Sequence, residues 1–159
     1  MVIKNILKLI ISILICETAG AIGSLFTFSS IPTWYANLKK PFFTPPNWLF
    51  GPAWTFLYFL MGISFYLIWE KSKENSQNKK AIFLFFLQLI LNSLWSIIFF
   101  GLKSPFFAFL EIIILWFAIL FTIIKFKLIS KKAAYILIPY LCWVTFASIL
   151  NFSVLILNR

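Results

Sequence analysis

Indole rings and carboxamides carry most of the chemistry open to this sequence. Trp54 shares a helical face with Asn47, Gly51, Tyr58 and Gly62, Trp95 with Gln88, Asn92 and Phe99, and Trp143 with Ala147 and Asn151. Steps of three and four residues put each set on one side of a helix. A stripe that faces only lipid has no need of small residues mixed with large rings that carry a polar handle. Indole faces stack on flat π-systems. Asn92 and the indole N–H groups can hold a carbonyl or carboxylate, and a pocket needs few such groups. The predicted chemistry is therefore retention of a flat, apolar ligand between helices, with plain core packing of the same rings as the alternative.

Two carboxylates, Glu17 and Glu111, stand inside apolar stretches. A charge there is costly and must face protein or water. Glu17 is either a hydrogen-bonded packing residue or a group with a proton or ligand role, and both acids are candidate relay groups. Several other chemistries are excluded. The chain has no His and no Asp, and its two cysteines, Cys16 and Cys142, form no CxxC pair. Haem ligation through His, zinc chemistry of the HExxH kind and a Ser-His-Asp triad are all ruled out, and no metal site is expected. The two thiols read as packing residues.

The elements that must position these groups are apolar helices. The chain has 159 residues, 62% of them hydrophobic, with a mean hydropathy of +0.98. Five stretches, approximately 6–28, 46–69, 81–101, 105–125 and 133–157, are each long enough to cross a bilayer of about 30 Å. They use most of the chain, which predicts an all-α integral membrane protein: one domain over 1–159, a bundle of five transmembrane helices with short loops. A signal peptide is imitated by Lys4 and Lys8, an apolar run to Cys16 and Ala19-Gly20-Ala21. The apolar character continues to Phe28, so a retained helix is expected instead.

The net charge of +10 is arranged for a lipid bilayer and not for nucleic acid. The N-terminus, the second loop and the fourth loop hold Lys4, Lys8, Lys71, Lys73, Lys79, Lys80, Lys125, Lys127, Lys131 and Lys132. The other side holds Lys39, Lys40, Lys103 and Arg159. This asymmetry predicts a cytoplasmic N-terminus and places the 34–45 loop on the opposite side. Trp34 and Trp69 fall where interfacial anchors belong, and Trp48 at a pocket rim or anchor position. In the second stretch Thr44 is a candidate cap, Pro45 and Pro46 suit a helix start, and Pro52 predicts a kink or loosened first turns. Gly20 with Ser24, and Ala19 with Gly23, are small pairs that let another helix approach.

The order Trp34-Tyr35, Leu38-Lys39-Lys40-Pro41, Pro45-Pro46, Trp48, Pro52, Trp54-Thr55, Leu57-Tyr58 and Met61-Gly62 resembles the signature of the TspO/MBR family, the tryptophan-rich sensory and translocator proteins. Phe43 departs from it, since members often carry Trp there. The resemblance continues in QLILNSLWSIIFF of the third stretch and in Pro139-Tyr140, Trp143, Phe146-Ala147 and Leu150-Asn151 of the fifth. It is weaker in the first and fourth, where Gly20, Gly23 and Glu111 fit.

The resemblance implies a porphyrin site, notably for protoporphyrin IX, which also takes isoquinoline and benzodiazepine ligands. The implied ligand-binding positions are Tyr35, Trp54, Asn92, Trp95, Phe107, Trp143, Ala147 and Leu150. Without His, a porphyrin would be held by stacking and shape, so no cofactor is expected and protoporphyrin IX is ligand or substrate. Lys39 and Lys40 could meet its propionates at the mouth. Three functions follow. The first is a receptor or sensor. The second is an enzyme that degrades protoporphyrin IX with light and oxygen, with Trp54 and Trp143 catalytic in that case only. The third is a porphyrin or sterol transporter, although the end of the chain, NFSVLILNR, lacks the Tyr of the animal sterol motif. The resemblance also implies a homodimer and a multi-pass protein of the bacterial cell membrane.

Overall fold

The computed structural model describes residues 2–71 and 76–159. Its elements are α1 (Val2–Ser30), a 3-10 turn (Tyr35–Asn37), α2 (Asn47–Lys71), α3 (Ser76–Ser96), a π turn (Ile97–Gly101), α4 (Pro105–Ile129), α5 (Lys131–Ile136) and α6 (Ile138–Leu157). Among the described residues there is no strand. Five spans are long and apolar enough to cross a membrane: Asn5–Ser30, Asn47–Lys71, Gln77–Gly101, Pro105–Ile129 and Lys131–Leu157. The fold is the all-helical five-span bundle that the apolar stretches predict. The polar second loop lies partly outside the described residues, and α3 begins within it.

Local chemistry sets the helix ends. Pro105 opens α4, where its missing N–H costs nothing. The Ser130 side chain accepts from the Ala133 N–H and caps α5. One expectation is corrected. Thr44 does not cap α2: its hydroxyl donates to the Pro41 carbonyl at 2.7 Å, inside the loop. Pro52 is carried within α2 without ending it, because it sits close to the start, where few intrahelical bonds depend on it. A helix break falls in the fifth span, at Leu137, two residues before Pro139. The proline ring excludes the regular bond to Tyr135, and Leu137 N–H turns back to the Ala134 carbonyl at 3.2 Å.

Small residues bring the helices together. A Cβ at Gly62 would stand 2.6 Å from Ile13 Cα, so α1 and α2 cross in backbone contact there. Gly20 receives the ring of Tyr58, and Gly23 faces Ser96. Ser93 Oγ donates to the Ala19 carbonyl at 2.9 Å. The small-residue face of α1 is thus used within the bundle. Cys16 is buried, but Cys142 is exposed on α6 and is not a core packing residue.

The two halves of the bundle differ. Away from the 31–46 loop the interior is solid: Phe85 stacks on Phe65 at 4.9 Å and on Phe126 at 5.7 Å. Met61, Ile68, Ile119 and Leu137 fill the space around them. Toward the loop the helices leave an opening.

Candidate functional site

That opening is a cavity of about 810 Å³ walled by α1, α2, the end of α3 and α6. Each wall is a stripe at helical spacing. On α2 it is Asn47, Gly51, Trp54 and Tyr58; on α6 it is Trp143, Ala147, Leu150, Asn151 and Val154. From α3 comes Trp95, and from the π turn come Phe99 and Phe100, turned inward together. The π turn closes with Leu102 N–H donating to the Ile97 carbonyl at 2.8 Å, and such turns gather at functional sites. On α1 the stripe is Glu17, Gly20, Ala21, Ser24, Thr27 and Phe28.

The aromatic rings meet in tilted, edge-to-face and stacked pairs. Trp54 lies 5.7 Å from Tyr58, 6.3 Å from Tyr140 and 6.4 Å from Trp143, centroid to centroid. Trp95 stacks on Phe99 at 5.2 Å. Its Nε1 donates to Asn151 Oδ1 at 3.1 Å, and Asn151 Nδ2 donates to the Pro105 carbonyl at 2.9 Å. Among the described residues the indole N–H groups of Trp54 and Trp143 have no hydrogen-bond partner, which leaves them free for a ligand.

The loop closes one end. Ile31, Pro32 and Tyr35 line the cavity there. Tyr35 is buried beside Phe99 and Phe100. Burial pushes its hydroxyl up to about 12, so it is a neutral donor at any physiological pH. The Lys40 ammonium does not reach the cavity. It donates to the carbonyls of Tyr35, Ala36 and Leu38 and lies 4.8 Å above the Tyr35 ring. Lys39 is absent from the wall too, so the propionate contact expected of this pair is not prepared.

Of the sequence-assigned residues, the structure brings Tyr35, Trp54, Trp95, Trp143, Ala147 and Leu150 to one cavity. Two lie elsewhere. Asn92 is 2% exposed and stands behind the wall. It accepts from the Tyr58 hydroxyl and donates to the Tyr140 hydroxyl at 2.7 Å, so two phenols hold the amide that the sequence offers to a ligand. Phe107 is 62% exposed, edge to face on Phe106, because its side of α4 points away from the bundle. Helix α4 contributes nothing to the wall.

Trp116 is also apart, donating to Thr145 Oγ1 at 2.8 Å. Glu111 is buried off the cavity, and both its carboxylate oxygens lack a hydrogen-bond partner among the described residues. Tyr58, Phe99, Phe100 and the α1 stripe were not assigned from sequence. The α1 signal was present, since 17, 20/21, 24 and 27/28 repeat at helical steps.

The family profile described as the TspO/MBR family matches residues 12–157. The chain is 53% identical to the Tryptophan-rich protein TspO of Archaeoglobus fulgidus, over 97% of this chain and 99% of that one. It is 42% identical to the Tryptophan-rich protein TspO of Chlorobaculum tepidum, over 98% of each chain. It is 36% identical to the human Translocator protein, over 84% of this chain and 79% of that one.

Proposed function

This chain belongs to the TspO/MBR family, and from that premise we propose that it is a membrane receptor or sensor for flat apolar ligands of the porphyrin kind, with protoporphyrin IX as the working ligand. The observation that carries this reading is the aromatic cavity on the loop side of the bundle. Its volume of about 810 Å³ falls in the range of small-molecule sites, roughly 300–1,000 Å³. Trp54, Trp95 and Trp143 present ring faces and edges to it, suited to offset stacking. Two free indole N–H groups and the Tyr35 hydroxyl supply donors for a carboxylate. No metal ligand is needed, and none of the described residues forms a His, Cys, Asp or Glu cluster that could hold a metal.

The test is a titration of the purified protein with protoporphyrin IX in the dark, followed by quenching of tryptophan fluorescence. Saturation at one ligand per chain supports the reading; quenching that grows without saturating overturns it.

A second reading, light- and oxygen-dependent degradation of protoporphyrin IX, draws on one observation. Trp54 and Trp143 stand edge to face at 6.4 Å on the wall, so two oxidisable rings would border a bound macrocycle side by side. Illumination of the complex and a search for a ring-opened product test it.

A further inference from the structure

Several polar groups of the cavity wall are answered by the protein itself. Ser24, Thr27 and Thr55 return their hydroxyl protons to carbonyls of their own helices, at 2.7, 3.1 and 3.0 Å. Tyr58 gives its proton to Asn92 and Trp95 gives its to Asn151. Glu17 is different. It is the one charged side chain on the wall, and it makes no hydrogen bond or ion pair with another described residue.

Among the described residues no cation pairs with it. Lys8 is nine residues earlier on α1, roughly 14 Å along the helix, and lies over the Trp69 ring at 5.6 Å. The Lys40 ammonium is tied to loop carbonyls. The carboxyl stands one turn below Gly20, where the Tyr58 ring packs between α1 and α2. Ala21, Phe28, Trp48 and Thr55 border the cavity yet are exposed, so this flank opens outward beside it. A carboxylate held in an apolar wall calls for a partner. Next to Tyr58 stands Trp54, whose face attracts a cation.

Resting on the cavity proposed above as the ligand site, we infer that Glu17 makes it selective for a second ligand class: flat apolar molecules that bring a basic nitrogen to the α1–α2 flank. The carboxylate accepts from the ammonium-type N–H, and the neighbouring aromatic faces take the rest of the ring system. Acidic ligands gain nothing at this end, because the wall carries no Lys or Arg.

The test compares two probes of the same three-ring outline, 9-aminoacridine, which is cationic at neutral pH, and neutral anthracene. Both are titrated by fluorescence into the full chain in a non-ionic detergent. Wild type should bind 9-aminoacridine the more tightly. Glu17→Gln should weaken 9-aminoacridine about tenfold while leaving anthracene within about twofold. Ala147→Phe should weaken both, which places the cation inside the cavity. Equal affinity of wild type for the two probes overturns the inference, and that comparison needs no variant to fold. So does an equal loss of both probes in Glu17→Gln, or unchanged 9-aminoacridine binding in Ala147→Phe. Protoporphyrin IX titrated alongside separates the two readings. If it fails to bind while 9-aminoacridine is selected, only the porphyrin reading falls. If it binds while the amine preference is missing, only the role of Glu17 falls.

Discussion

The carboxamide of Asn158 holds the backbone of Lys39 by both of its polar groups. Its oxygen accepts from the Lys39 N–H at 2.9 Å, and its Nδ2 donates to the Lys39 carbonyl at 2.9 Å. One side chain at the end of α6 thereby pins the loop that closes the cavity. Asn158→Ala removes both bonds at an exposed site, a loss of about 1 kcal/mol. Amide exchange over residues 35–42 should quicken about fivefold, and protoporphyrin IX should leave the dark complex faster by a similar factor. Unchanged exchange would show that the Lys40 contacts alone hold the loop.

Asn92 links Tyr58 of α2 to Tyr140 of α6 through a buried carboxamide. Asn92→Leu keeps the volume but strands two buried hydroxyls. The cost should be about 1–3 kcal/mol, read as a lower midpoint of thermal unfolding in detergent. Ligand affinity should change less than stability, because Asn92 is behind the wall. A large affinity loss with an unchanged midpoint would restore Asn92 to the ligand site.

Gly62 and Gly51 lie on the same face of α2 with opposite surroundings. A Cβ at Gly62 meets the backbone of Ile13, while one at Gly51 meets nothing within 4 Å. Gly62→Ala must push α1 from α2 and should destabilise by about 1–3 kcal/mol. Gly51→Ala should be neutral or stabilising by up to about 1 kcal/mol. Equal midpoints for the two variants would contradict the close crossing.

The uneven spread of lysines among the loops predicts an orientation with the N-terminus in the cytoplasm. A cysteine placed at Asn37 should react with a membrane-impermeant thiol reagent added outside intact cells, and one at Lys80 should not. The exposed Cys142 must first be replaced by Ser; buried Cys16 can stay. The reverse labelling pattern would invert the topology.

The spans were legible because length and charge-free hydropathy are one-dimensional properties. Much of the site was legible too, since Trp54, Trp143 and Ala147 repeat at helical steps that survive folding unchanged. What the sequence hides is which neighbour a face meets. Asn92 shares its face with Trp95, yet two tyrosines from other helices claim it. Phe107 resembles a site residue by position alone, and its side of α4 faces outward. The π turn at Ile97–Gly101 carries no composition mark, though it turns Phe99 and Phe100 inward together. The α1 stripe was readable but lay in a helix that looked like plain packing.

Binder and enzyme separate at two wall residues. Ala147 and Trp143 sit one turn apart on α6, both lining the cavity. Ala147→Phe fills the space a planar ligand needs, and overfilling typically costs about 1–3 kcal/mol, or roughly ten- to a hundredfold in affinity. Trp143→Phe keeps an aromatic face but removes the indole N–H and the more oxidisable ring. If the protein only binds, dark affinity for protoporphyrin IX should fall a few-fold, about 1 kcal/mol for one lost hydrogen bond, and lamp-driven bleaching should match that of the free porphyrin. If it also degrades the porphyrin, bleaching by Trp143→Phe should drop at least tenfold below wild type while binding persists, a loss of about 1.4 kcal/mol or more at the barrier. Unchanged dark binding in Ala147→Phe would remove this cavity as the ligand site. Equal bleaching by wild type and Trp143→Phe would remove the indole from the chemistry and leave the receptor.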